Sequence, residues 1–88
     1  HAGHTETSLM MAINPRLVRM DKLDIGNVQP MSEMQRDLQT SGVQAVSPNG
    51  ILGNARTATA EHGDQLVAML TEDLRAFIHA TCSQWNTA

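Results

Sequence analysis

The chain has 88 residues, of which 41% are hydrophobic, 17% charged and 2% aromatic, with a formal net charge of −3. This is room for one domain near the low end of what closes a core of its own. Phe77 and Trp85 are the only aromatic side chains and Cys82 is the only cysteine, so neither large buried rings nor an internal disulfide can supplement a thin core. The composition therefore predicts part of a domain. Nine acidic against six basic residues give no basic surface, which excludes nucleic acid as the natural partner. There is no apolar run long enough for a membrane span and no basic-then-apolar leader at the start, so no membrane association is expected. One unpaired cysteine fits a reducing cytoplasm.

Along the chain, Thr5, Thr7 and Ser8 precede the apolar run Leu9–Ile13, and their hydroxyls are candidates to cap a short helix. Pro15 biases Asn14 away from helical angles and ends that helix. Leu17, Val18 and Met20 predict an extended or one-turn segment, and Gly26, Asn27 and Pro30 punctuate a loop. Met31–Leu38 has weak helical spacing, and Val43–Val46 alternates like a short strand. Ser47-Pro48-Asn49-Gly50 carries turn chemistry, repeated by Gly53-Asn54. The clearest element is the last. Leu66, Val67, Leu70, Leu74, Phe77, Ile78, Cys82 and Trp85 form one stripe at helical spacing, with Thr57 or Thr59 as N-cap and Glu61 in the first turn. Gly63 inside this helix costs about 1 kcal/mol against alanine, which points to a neighbouring backbone passing too close for a side chain.

The densest polar cluster is His1-Ala2-Gly3-His4-Thr5-Glu6. Two imidazoles and a carboxylate within six residues have the chemistry of metal ligands or of a proton-transfer pair oriented by Glu6. The spacing matches no standard zinc motif, and on spacing alone a solvated, frayed end is the better reading. Gly3 implies a bend that returns Glu6 toward His1. Elsewhere the residue types speak for structure. Ser47 lacks a nucleophile elbow and reads as a turn residue. Cys82 reads as a buried, inert thiol, His79 as a structural residue at the stripe's margin, and the six methionines as core filler.

Read together, His1-Ala2-Gly3, Glu6-Thr7-Ser8-Leu9-Met10-Met11 and Asn14-Pro15-Arg16-Leu17-Val18 resemble the creatininase family of metal-dependent amidohydrolases. The block Val46–Gly53, followed by Ala58–Glu61 and Gly63, is similar to that family's late loop and the start of its last helix; its form most resembles the mycofactocin-maturation peptidase branch. The resemblance implies an α/β fold, with residues 1–88 as the C-terminal segment of a single three-layer α/β/α sandwich. It implies divalent metal ions (zinc, manganese or iron) whose ligands lie mostly in a preceding N-terminal portion, together with that portion as a partner and a homo-oligomeric assembly. It carries His1 over as the proton shuttle and Glu6 as its support, in hydrolysis of a cyclic amide or a peptide C–N bond by a metal-activated water. His4 falls on a variable position of the pattern and takes no role from it. On this reading the 88 residues alone are inactive. The alternative is a noncatalytic assembly segment that packs through the amphipathic helix Thr59–Trp85.

Overall fold

A computed structural model describes residues 1–83; Trp85, the last position of the apolar stripe, lies outside them. Helix α1 spans His4–Ile13, with Gly3 as its N-cap and no side-chain cap. The expected hydroxyl caps are not used because Thr7 N–H already reaches the Gly3 carbonyl at 3.0 Å, so the helix begins before Thr5. Asn14 leaves helical angles ahead of Pro15, and Asn14 N–H closes the end on the Met10 carbonyl at 2.8 Å. Pro15–Leu17 and Met20–Lys22 follow as single 3-10 turns, the one-turn form of the expected segment.

The middle of the chain differs most from expectation. Helix α2 runs over Met31–Ser41, and Val43–Val46 is a helical turn, α3, rather than a strand. Val43 and Val46 are three residues apart, which puts them on one face of a helical turn and on opposite faces of a strand, and Ser47 N–H closes the turn on the Val43 carbonyl at 2.9 Å. Residues 24–27 lie along residues 51–55, joined by Gly26 N–H to Gly53 O (2.9 Å), Asn27 N–H to Ile51 O (3.0 Å) and Ala55 N–H to Asp24 O (3.0 Å). The pairing amounts to two isolated bridges, Ile25 with Asn54 and Asn27 with Leu52, one antiparallel and one parallel. Opposite directions two residues apart cannot extend into a ladder. The α/β sandwich segment expected from the resemblance is thus corrected: the described residues form helices and turns, with no strand.

Helix α4 spans Ala60–Cys82. Thr59 caps it, its Oγ1 accepting from His62 N–H at 3.1 Å, with Glu61 in the first turn. Its N-terminal half crosses α1 closely. Ser8 is fully buried at the crossing, and its Oγ accepts from Thr59 N–H at 3.1 Å, so a residue expected to cap α1 anchors α4 instead. A Cβ on Gly63 would collide with the Ser8 carbonyl oxygen and lie 2.9 Å from Ala12 Cβ, which is the close backbone approach that the glycine implied. The core is small: among the described residues, Met11, Met34 and Ala55 are the buried hydrophobic ones. Most of the α4 stripe faces solvent, with Phe77 69% and Leu74 59% exposed, while Cys82 is half-buried rather than buried and His79 is exposed.

Candidate active site

The opening residues are seated against the loop around Leu52 rather than frayed. Leu52 N–H donates to the His1 carbonyl at 2.8 Å, and Gly3 packs on the Leu52–Gly53 backbone so tightly that a Cβ would lie 2.7 Å from Leu52 O. Gly3 is therefore needed for close approach. The bend itself belongs to Ala2, whose φ of +54° places a side-chain-bearing residue in the left-handed region. That bend brings Ala2 N–H to Glu6 Oε2 at 2.5 Å, and the His1 main-chain nitrogen to 3.7 Å from Glu6 Oε1. The carboxylate thus fastens the backbone that carries the His1 ring. Thr7 adds a second tie, its hydroxyl donating to the Ala2 carbonyl at 3.3 Å.

A cavity of about 330 Å³ opens here, walled by His1, Gly3, His4, Thr5, Glu6 and residues Leu52–Asn54. Both residues singled out in sequence, His1 and Glu6, line it. So does His4, which the sequence left without a role. His4 Nδ1 lies 2.7 Å from Thr57 Oγ1, and its ring packs against His62 of α4 with centroids 4.8 Å apart and planes tilted by 49°. Glu6 also borders a second, more apolar cavity of about 350 Å³ that reaches Met10, Leu17 and Leu23.

The loop behind the cavity is built by side chains acting on backbone. Ser47 is buried, with its hydroxyl 2.7 Å from Ile51 O and 2.9 Å from Asn49 Oδ1, which confirms a turn-forming role. Asn49 Oδ1 accepts from Ile51 N–H at 3.1 Å while its amide donates to Ile25 O at 3.1 Å. Asn27 donates to Val46 O at 2.8 Å. Arg56 reaches Asp24 at 3.2 Å, securing the strip that carries Thr57.

Among the described residues, no three His, Cys, Asp or Glu side chains come together as a metal-binding group. His1, His4 and Glu6 share a cavity wall but do not fit the metal site that the resemblance implies. No helix among them is long and apolar enough to cross a membrane.

The family model for creatininase (creatinine amidohydrolase) matches residues 1–78. The chain belongs to the creatininase family. It is 47% identical over 73 residues to the mycofactocin precursor peptide peptidase of Mycobacterium ulcerans (strain Agy99), covering 83% of this chain and 29% of that protein. The mycofactocin precursor peptide peptidase of Mycolicibacterium smegmatis is 47% identical over 68 residues, covering 77% of this chain and 28% of the relative. That of Mycobacterium tuberculosis (strain CDC 1551 / Oshkosh) is 40% identical over 73 residues, with shares of 83% and 29%. The chain therefore spans less than a third of the length of the curated relatives it matches. No solved structure matches it.

Proposed function

We propose that this chain is the C-terminal, proton-handling segment of a creatininase-family hydrolase that cleaves a peptide C–N bond. The observation that carries this reading is the seating of His1 and Glu6 on one cavity wall, in a chain 47% identical to a peptidase of the family. Hydrolysis of an amide requires a proton at the leaving nitrogen, and imidazole is suited to deliver one near neutral pH. His1 supplies that proton. Glu6 acts on His1 through its backbone, holding the Ala2 turn in its left-handed form. Glu6 is accordingly a positioning residue. The divalent metal belongs to ligands outside these 88 residues, which fits a chain that covers 29% of its relative. The steps assigned here are confined to this chain's own groups.

In the full-length protein, with a mycofactocin precursor peptide as substrate, His1→Ala lowers kcat by about 100-fold or more, the usual scale of general acid–base catalysis. Glu6→Ala lowers it by about tenfold, equal to about 1.4 kcal/mol of barrier. Wild-type turnover in both variants would falsify the assignment.

The exposed apolar face of α4 supports a second role within the same protein. Leu70, Leu74, Phe77 and Ile78 are each at least half exposed, and the rest of the polypeptide or a second copy is the natural cover. Assembly into a homo-oligomer through this face is the noncatalytic part of the proposal. Phe77→Glu in the full-length protein separates it from catalysis: a changed oligomeric state on sedimentation with the His1 chemistry intact is the expected result.

A further inference from the structure

His4 has no part in the reading above, yet its surroundings restrict its chemistry. Thr57 has one hydroxyl proton, and the Asn54 carbonyl 3.1 Å away, which can only accept, is the partner assigned to it. The Thr57 oxygen is then the acceptor in its 2.7 Å contact with His4, so Nδ1 carries the hydrogen. A neutral imidazole carries only one, which leaves Nε2 with a free lone pair. Nε2 has no protein partner among the described residues, and His4 is one of the residues that wall the cavity His1 and Glu6 share. His62 packs against the ring from α4, while Arg56, next to Thr57, is turned away onto Asp24 and the Leu23 carbonyl. His62 is thus the ionisable group packed on the ring, and His1 and Glu6 stand on the same cavity wall.

We infer that His4 is a second proton-exchanging group of this cavity, fixed by Thr57 as the Nδ1–H tautomer so that Nε2 accepts. Its catalytic part rests on the proposed hydrolytic reading; its tautomer does not. Amide hydrolysis moves two protons: one leaves the attacking water and one reaches the leaving nitrogen. His4 Nε2 takes the first as the water oxygen bonds to the carbonyl carbon. His1 gives the second as the C–N bond breaks. Proton exchange between the two rings, directly or through solvent, restores the starting state.

The test uses the full-length protein labelled with nitrogen-15 at histidine, with His4→Gln identifying the His4 signals. An unprotonated Nε2 in the neutral ring of the wild type and of Thr57→Ser, replaced by mixed tautomers in Thr57→Val, is the expected result. An Nε2–H ring in the wild type overturns the inference. On a mycofactocin precursor peptide, His4→Gln is expected to lose about 100-fold in kcat with KM changed less than about twofold. Thr57→Val should lose about tenfold, and Thr57→Ser should recover most of it. Undiminished kcat in His4→Gln, alongside a His1→Ala variant that has lost activity, overturns the catalytic role. Wild-type turnover in His1→Ala with the tautomer as stated instead overturns the reading of the cavity, and the His4 step with it.

Discussion

At the scale of single residues, backbone proximity dictates the side chains in two places. Gly63 lets α4 rest on the Ser8 carbonyl, and any Cβ there must push the helices apart. Gly63→Ala gains about 1 kcal/mol of helix propensity and loses more through overpacking. The expected net is a destabilisation of about 2 kcal/mol in urea unfolding of the full-length protein, whereas a purely propensity-driven site would be stabilised. Ala2 is the converse case: a residue with a Cβ held at φ +54° beside the candidate site, kept there by Glu6 and Thr7. Strain of this kind persists only where its neighbours over-determine it. Gly63 was legible in sequence because a glycine inside a strong helical pattern needs a reason. The Ala2 bend was not, since the adjacent Gly3 offers an easier site for a turn and its true role, closeness to Leu52, involves a residue almost fifty positions away.

At the scale of elements, α4 was readable from its stripe and from Thr59, whose cap is worth about 1 kcal/mol, so Thr59→Ala should lower stability by that amount on thermal unfolding. It also loses nothing at the Ser8 contact, which uses the Thr59 backbone amide. Farther along, Arg75 donates to both oxygens of Glu72, at 2.9 and 2.7 Å. These bonds hold the Glu72 carboxyl below its ordinary value, against a small opposing effect of desolvation, and raise Arg75. A carboxyl lowered in the folded state contributes stability that is present above its unfolded pKa and is lost as pH falls through the folded value. The stability gap between wild type and Glu72→Gln should therefore be open at neutral pH and close in acid; because the pair is fully exposed, added salt should narrow it. The short α3 escaped sequence reading for a physical reason. Four residues carry too little periodicity to separate a turn of helix from a strand, and only the hydrogen bond from Ser47 to Val43 decides.

At the scale of the whole molecule, the Cα radius of gyration is 17.3 Å, against about 12 Å for a compact domain of this length. The extents of 55 × 33 × 18 Å follow from α4 projecting past α1 with its apolar stripe uncovered. The composition had already signalled a thin core; what would cover the stripe has no signature in these residues. The candidate site divides in the same way. His1 and Glu6 were legible because six consecutive residues hold both, while the His4–Thr57–His62 group joins three elements and shows no local pattern. With no three-ligand cluster among the described residues, titration of the 88-residue chain with zinc or manganese is expected to show no stoichiometric binding; tight binding of one ion per chain would contradict ligands placed elsewhere.

The hydrogen bond from Leu52 N–H to the His1 carbonyl makes one amide a built-in gauge. Deuterium can replace that proton only when the opening strip lifts away from the loop. Its exchange rate thus registers how long the first imidazole stays in place, without any substrate, metal or turnover to report on it.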